Sequence, residues 1–465
     1  MKKILLYVSL LLVLTSCEDK LDITPKGQTV LNTLEDLTNL LNQEYNLGTP
    51  IEDLCVICNE AYSFTENVNL ILSQPNTLAC AYLSYNEETD RAGLTTEDSR
   101  YAAIYQYINY MNVIIDKIDD VEGEAYLKEQ VEAEAHIMRA YLHWLAVNIY
   151  AKQYDEATAA EEGGIAYVTD LEVTNQKMKL TLQKVYENIL TDCDEKYIDV
   201  LPDEAPNVTR AGKAWGYAVR AKVLMQMKKY DEALPYALKS IEYQNNIEDR
   251  SVIVELSDWY LEKTAPNNLI YIGGMVSPFC EVLSIESATL FEQGDYVKDY
   301  AYMFGMVAPG FEVWNSTYGE SMGGVKGALF FYGMSSYTNI FGITTERMYY
   351  TAAECYIRTN QIDEGLELVN TVREYRIHPD YYEEFKASTE EEAMTLLQKA
   401  KWIECISTYE NFFDCKRWNS EEKYKRTITR QLPTGTYSID PDSPLWIFPF
   451  PANAVRYNSS LTQNY

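Results

Sequence analysis

The segment most informative about the architecture of this chain reads Lys213-Ala-Trp-Gly-Tyr-Ala-Val-Arg-Ala-Lys-Val-Leu-Met-Gln-Met-Lys-Lys-Tyr-Asp-Glu-Ala-Leu-Pro-Tyr-Ala237. Ala214, Ala218 and Ala221 recur at helical spacing, and such small side chains let a second helix approach closely. The run 229–233, Lys-Tyr-Asp-Glu-Ala, then turns the chain into an antiparallel partner. The segment therefore predicts a pair of packed helices.

This pair resembles the tetratricopeptide repeat, whose unit of about 34 residues is a helix pair with alternating small and large positions. Residues 348–375 repeat the design, with Ala352 and Ala353 on the first helix and a turn at 360–364. The two copies lie more than 130 residues apart, so the repeats are interrupted. Stacked helix pairs of this kind form scaffolds that present surfaces for binding.

Helical periodicity covers most of the remaining chain and predicts a mainly α fold. Thr33 is a plausible N-cap for the first helix, with Asp36 in its first turn. The predicted helices span 33–45, 98–116, 124–150, 181–197, 210–227 and 231–243. Together they place helical repeat pieces at about 98–245 and 345–412.

Two long stretches, 46–97 and 248–343, lose this helical period. The second holds eleven of the 21 glycines of the chain, which indicates loops. Long stretches without regular structure are usually functional or disordered, and the aromatic content here argues against disorder. We expect these regions to face a ligand.

The composition excludes one large class of function. The 465 residues include 70 Asp or Glu, 39 Lys or Arg and 3 His, for a formal charge of -31. A nucleic-acid-binding domain needs a basic face to neutralise phosphates, and so acidic a chain has no surplus to build one. The 39 Tyr against 13 Phe also require an explanation, because each buried phenol needs a hydrogen-bond partner.

The first 17 residues have the features of a secretion signal followed by a lipid attachment site. Lys2 and Lys3 precede an apolar run from Ile4 to Leu14, which is too short to span a bilayer and fits a secretion signal. The ending Leu14-Thr-Ser-Cys17 matches the bacterial lipobox. We therefore predict a lipoprotein signal peptide at 1–16 and a lipid anchor at Cys17.

Eight further cysteines follow the predicted anchor. Cys55-Val-Ile-Cys58 has redox or zinc spacing, but no second CxxC and no nearby His completes a metal site. Buried core thiols are the favoured interpretation, and disulfide pairing stays open.

Five sequence motifs are distributed along the chain between the predicted anchor and the carboxyl terminus. They are Leu21–Gly27, the spaced set Tyr101, Tyr105, Ile108 and Asn112, then Glu134–Tyr141, Lys401–Arg417 and Leu461–Tyr465. These motifs resemble those of the RagB/SusD family, surface lipoproteins of Bacteroidetes that bind nutrients, mostly glycans. Tyr101, Thr344 and Arg347 depart from the usual family residues. Arg139 and Glu404 match, and we interpret them as residues that satisfy buried partners.

The resemblance implies a SusD-like body at 17–465, built from tetratricopeptide-like helix pairs and an irregular, loop-rich ligand-binding half. It also implies a function: capture of an oligosaccharide or polysaccharide at the cell surface, and its delivery to a TonB-dependent, SusC-like transporter in the outer membrane. No bond is broken in this role.

Aromatic rings that stack on sugar faces, together with amide and carboxylate hydrogen-bond partners, suit glycan binding. Tyr serves both needs with one side chain. In the first loop region these residue types are Tyr62, Phe64, Asn67, Tyr82, Tyr85, Asn86 and Asp90. In the second they are Trp314, Asn315, Tyr318, Tyr332, Tyr337 and Asn339, with Trp314 the best single candidate. Each also has an alternative interpretation as loop packing.

Two other functions stay open. The same body could capture another nutrient such as a peptide, or act as a surface glycoside hydrolase, which needs two carboxylates about 5–10 Å apart. The sequence has no HExxH, GxSxG or Walker motif, so we expect no enzyme. No cofactor is indicated, and a calcium ion on a loop stays open.

Overall fold

The computed structural model describes residues 31–48, 51–64, 66–172, 174–251, 265–273, 278–300, 320–334 and 339–465. In chain order the helices are α1 (Leu34–Leu41), α2 (Glu52–Ile57), α3 (Val68–Leu72), α4 (Leu78–Leu83), α5 (Arg91–Leu94), α6 (Ser99–Lys117), α7 (Ala125–Tyr150), α8 (Leu182–Asp192), α9 (Glu195–Ile198), α10 (Lys213–Gln226), α11 (Tyr230–Tyr243), α12 (Ile285–Leu290), α13 (Glu320–Gly323), α14 (Thr345–Arg358), α15 (Ile362–Glu374), α16 (Glu390–Glu404), α17 (Glu410–Asn419) and α18 (Ala452–Tyr457). The fold is mainly α, as predicted.

Polar caps set where several of these helices begin. Thr33 and Asp36 form a capping box at the start of α1, and Asp98 accepts hydrogen bonds from the first backbone N–H groups of α6. Thr181 caps α8 in the same way. All six predicted helices are present, although the first ends at Leu41 rather than at Tyr45, and 181–197 divides into α8 and α9.

Consecutive helices pack as pairs, which confirms the design expected from 213–237. The pairs are α6 with α7, α10 with α11, and α14 with α15. Lys228 lies in the turn between α10 and α11, and Asn360 occupies the corresponding position between α14 and α15. Both adopt a left-handed φ of 63°. Ser240 of α11 donates to the carbonyl of Ala214 in α10 at 2.8 Å, which is possible because Ala214 is small.

The strands are β1 (Tyr45–Asn46), β2 (Ala61–Phe64), β3 (Gly163–Ala166), β4 (Lys179–Thr181), β5 (Asn268–Ile270), β6 (Ile272–Gly273), β7 (Pro278–Leu283), β8 (Leu329–Met334), β9 (Ile343–Thr344), β10 (Ile428–Leu432) and β11 (Gly435–Ile439). Antiparallel pairing joins β2, β7 and β8 into one sheet. The region 46–97, expected to be loop, contains four short helices and β2.

Ion pairs fill much of the interior between the helices. Arg139 of α7 holds Asp192 of α8 through two hydrogen bonds of 2.7 and 2.8 Å. Arg376 holds Glu404 of α16 at 2.6 and 3.0 Å. These contacts confirm that Arg139 and Glu404 satisfy buried partners. Because a buried charge is costly without its partner, such pairs fix how the helices meet.

The cysteines of the described region behave as core residues. Cys55 and Cys58 are free, buried thiols, as are Cys80, Cys193, Cys355, Cys405 and Cys415. Burial raises the pKa of the Cys55 thiol well above its ordinary value. The core-thiol interpretation of the CxxC motif is therefore confirmed. None of the described helices combines the length and the apolar character needed to cross a membrane.

Candidate functional site

The four aromatic residues predicted in the first loop region are buried. Tyr62, Phe64, Tyr82 and Tyr85 expose only 3 to 6% of their surface. The Tyr62 hydroxyl accepts from the Ile285 amide at 3.3 Å, and the Tyr85 hydroxyl donates to a backbone carbonyl. The expectation of exposed stacking platforms is therefore wrong for these four. The region folds into short helices and a strand that turn the rings into the core.

The polar residues chosen from the same region shape local turns. Asn67 caps α3 and also donates to the Ser321 carbonyl at 2.8 Å. Asp90 caps α5, where its carboxylate accepts from the Gly93 amide at 2.9 Å. Asn86 accepts from the Glu88 amide at 3.0 Å in an exposed turn. Each side chain thus has a structural role that accounts for its position.

Most residues chosen from the second loop region lie outside the described residues. This holds for Trp314, Asn315, Tyr318 and Tyr337, as it does for the predicted anchor Cys17. Tyr332 lies on β8, opposite Cys280 of β7. Their roles stay predictions.

Asn339 is buried, and its amide is fully engaged in hydrogen bonds. Its Oδ1 accepts from the amides of Ile272 and Gly342, both at 3.0 Å. Its Nδ2 donates to the Asn268 side chain at 2.8 Å and to the Ile270 carbonyl at 2.7 Å. Asn339 therefore joins loop and strands, which corrects the expectation that it contacts a ligand.

A cluster of acidic groups lies in the interior where three parts of the chain meet. Ligand atoms of Cys55, Glu60 and Glu281 fall within 4.8 Å of one another, and all three residues are buried. Ser407 donates its backbone N–H to Glu60 at 2.9 Å and its hydroxyl to Glu281. Asn411 donates to the second oxygen of Glu60 at 2.6 Å.

This arrangement suits a shared proton better than catalysis. Burial, reinforced by the neighbouring Glu60 carboxylate, raises the pKa of Glu281 well above its ordinary value. Burial also raises the pKa of Glu60. Two adjacent carboxyls cannot both ionise cheaply, so one keeps a proton and donates it to the other. Since both side chains have no exposed surface, they cannot reach a glycosidic bond as the acid and base of a hydrolase.

An open cleft of about 500 Å³ lies beside the pair α10 and α11. It is lined by parts of 203–208, 212–215, 243–246 and 265–269. Five of its side chains are carboxamides, so we call it the amide cleft: Asn207, Gln244, Asn245, Asn246 and Asn268. Its volume falls within the usual range of small-molecule sites, about 300 to 1,000 Å³.

Close backbone contacts build the walls of the amide cleft. Gly212 lets the preceding loop approach α10, because a Cβ there would meet the Ala205 nitrogen at 2.7 Å. The Lys213 amide donates to the Pro202 carbonyl at 2.9 Å. The Tyr271 amide donates to the Val208 carbonyl at 2.8 Å, which ties the loop to the segment between β5 and β6.

Tyr243 stands at the rim of the amide cleft with 37% of its surface exposed. Its ring stacks on Tyr217, with centroids 5.8 Å apart and planes 19° apart. The Lys213 ammonium lies 5.4 Å from the Tyr243 ring centroid and is itself paired with Asp203 at 2.6 Å. Tyr243 is therefore an exposed ring held in one orientation.

The predicted ligand residues do not line the amide cleft. Tyr243 falls on a predicted helix, whereas the predicted ligand residues all lie in the two loop regions. The signal that could have found the site is the run Gln244-Asn245-Asn246 directly after an aromatic helix end. Carboxamides in such a run are costly to bury without hydrogen bonds and mark a polar surface.

Two family models match the chain. One is described as SusD-like, starch-binding and associating with the outer membrane, and matches residues 21–225. The other is described as the SusD family and matches residues 347–465. The two ranges leave residues 226–346 between them. No curated protein compared with the chain matches it.

Solved structures share the fold at low sequence identity. A SusD superfamily protein from Bacteroides thetaiotaomicron has a TM-score of 0.71 at 15% identity, covering 93% of this chain and 100% of its own. A surface glycan-binding protein A from Bacteroides uniformis has a TM-score of 0.66 at 14% identity, covering 93% and 99%. A SusD-like carbohydrate binding protein from Bacteroides vulgatus has a TM-score of 0.64 at 14% identity, covering 93% and 98%.

Proposed function

The chain belongs to the SusD/RagB family, and from that premise we propose that it captures a glycan at the cell surface and delivers it to a TonB-dependent, SusC-like transporter of the outer membrane. The observation that carries the proposal is the match of two SusD-type family models to residues 21–225 and 347–465. One of these models describes starch binding and association with the outer membrane.

The geometry of the described region is consistent with binding that breaks no bond. An open cleft lined by amides and an exposed Tyr can hold a polyhydroxylated ligand by hydrogen bonds and stacking. The closely paired carboxyls Glu60 and Glu281 are sealed in the core. This pair is therefore no candidate for the acid and base of a hydrolase, and we propose capture rather than hydrolysis.

Calorimetry on the full-length lipidated chain in detergent tests glycan capture. The probes are neutral oligosaccharides of glucose, xylose and mannose, with unrelated peptides of similar mass as the comparison. Saturable binding of an oligosaccharide without release of reducing sugar supports the proposal. Binding of peptides alone would overturn it in favour of peptide capture, and release of reducing sugar would favour a hydrolase.

Trp314→Ala tests the ligand residue predicted from the sequence. We expect weaker glycan binding with an unchanged melting temperature. A variant at Trp144, which is buried, serves as the contrast because Trp144→Ala should lower the melting temperature itself.

Delivery requires a physical complex with the transporter. We expect an affinity-tagged chain to co-purify from native outer membranes with a TonB-dependent transporter, identified by mass spectrometry. Recovery of the tagged chain without any such transporter, under conditions that preserve other outer-membrane complexes, would contradict the delivery step.

A further inference from the structure

We propose that the amide cleft is a binding site for a neutral oligosaccharide. The inference rests on the proposed function, and it adds a location and a ligand class. The free hydrogen-bonding groups of the cleft, its charge and the fixed ring of Tyr243 all favour such a ligand.

Three polar groups at the amide cleft are available to a ligand. Within the described part of the chain, the Tyr243 hydroxyl, the Asn245 amide and the Glu204 carboxylate make no hydrogen bond or ion pair. They supply donors and acceptors of the kinds that pair with hydroxyl groups, since an amide offers both and a carboxylate accepts. A sugar, which carries many hydroxyls that both donate and accept, matches this set.

The charge at the cleft selects against anionic ligands. Asp203 and Glu204 line it, whereas none of its lining residues in the described region is Lys, Arg or His. The nearby Lys213 is already neutralised by Asp203 at 2.6 Å. A phosphate or a uronic acid would therefore meet carboxylates without a free cation, in a chain of net charge -31.

The lining also selects against an apolar ligand. An apolar molecule would cover Asn245 and Glu204 and leave their polar groups without partners, which is unfavourable. A neutral polyhydroxylated ligand avoids this cost and still gains contact between its CH faces and an aromatic ring. Such a ligand meets both conditions, whereas an anionic or an apolar ligand does not.

Tyr243 is arranged to provide that ring. Stacking on Tyr217 and the position of Lys213 hold it in place before any ligand arrives. Binding then requires little further ordering of the side chain, which favours affinity. Tyr243, Asn245 and Asn246 lie within 226–346, between the two ranges matched by the family models.

The test uses the full-length lipidated chain in detergent and two variants, Tyr243→Ala and Asn245→Ala. We expect the affinity for neutral oligosaccharides to fall by about tenfold or more for Tyr243→Ala, and less for Asn245→Ala. Tyr126→Ala is the matched control, because Tyr126 is 57% exposed on α7 and far in sequence from the cleft. Asn245 and Tyr126 are exposed, so the melting temperatures of their variants should change little. Tyr243→Ala also loses the contact with Tyr217, so its affinity is measured at a temperature where the variant is folded.

Hydrogen exchange gives a second readout that does not depend on a variant. Saturation with the tightest-binding neutral oligosaccharide should slow amide exchange in 203–212 and 243–246, and a hexagalacturonate probe should not.

The proposal would be overturned by wild-type glycan affinity in Tyr243→Ala together with unchanged exchange in these segments. Glycan capture at another part of the protein would then remain as the proposed function. Binding of hexagalacturonate at the cleft would overturn the ligand class. If no neutral oligosaccharide binds at all, the proposed function fails, and the cleft assignment fails with it.

Discussion

Asn339 is a single side chain on which a loop and two strands depend. It makes four hydrogen bonds to β5, β6 and Gly342 and is 2% exposed. Asn339→Ala removes all four bonds and leaves several buried backbone groups without a hydrogen-bond partner. Each such group costs about 1–3 kcal/mol. We expect a loss of about 2–5 kcal/mol in the free energy of unfolding, measured by urea denaturation.

The control for this prediction is Asn86→Ala. The Asn86 side chain is exposed and accepts a hydrogen bond within its own turn, from the Glu88 amide. Such a surface change should stay within about 0.5 kcal/mol. Equal losses for the two variants would show that the Asn339 bonds contribute nothing specific.

At the level of single elements, the helices were predictable because each carries local signals. Thr33 caps α1 as predicted, and Asp98 and Thr181, which stand where the periodicity begins, cap α6 and α8 in the structure. Apolar and small positions at helical spacing predict the pair α10 and α11. These signals are local in sequence, so they need no knowledge of the tertiary structure.

The loop regions were predicted less well for an instructive reason. Asn67 and Asp90 were chosen as ligand residues, yet they cap α3 and α5. The same short polar side chains that bind sugars also cap helices. Whether a Tyr such as Tyr82 faces a ligand or the core depends on tertiary packing, which no local pattern reports.

Glu281 on β7, in the sheet β2–β7–β8, makes the stability of the fold depend on pH. The pKa of Glu281 is raised in the folded state, chiefly by burial and next by Glu60, so folding favours its protonated form. The stability that this proton contributes is complete below the unfolded pKa of about 4.5 and is lost as pH rises through the folded pKa. Glu281→Gln keeps the shape of the protonated acid and cannot ionise.

We therefore expect Glu281→Gln to be more stable than the wild type by a margin that grows between pH 5 and pH 9. Urea midpoints across that range measure the effect. Glu88→Gln, at an exposed position, should follow the wild-type curve. Parallel curves for Glu281→Gln and the wild type would contradict a shared proton at this site.

At the scale of the whole molecule, folding buries a larger fraction of the basic residues than of the acidic ones. Twelve of the 39 basic residues are buried in the described region, against nine of the 70 acids. Arg139, Arg376 and Arg417 are among them, each paired with an acid. The exposed surface is therefore strongly acidic, which keeps the body soluble and repels it from an anionic membrane.

Such a body needs a lipid to stay at a membrane, and the sequence predicts that lipid at Cys17. Acyl chains contribute about 0.8 kcal/mol per buried methylene, and several together give stable anchoring.

We expect Cys17→Ser to abolish incorporation of an alkyne-labelled fatty acid and to remove the chain from the outer-membrane fraction. Lys20→Gln, which lowers the charge next to the cysteine without touching the thiol, should leave both unchanged. The wild type should stay on the membrane through a 1 M salt wash, because salt at that concentration screens charge interactions beyond about 3 Å but does not weaken acyl burial. Release of the wild type by salt would contradict a lipid anchor and indicate an electrostatic one.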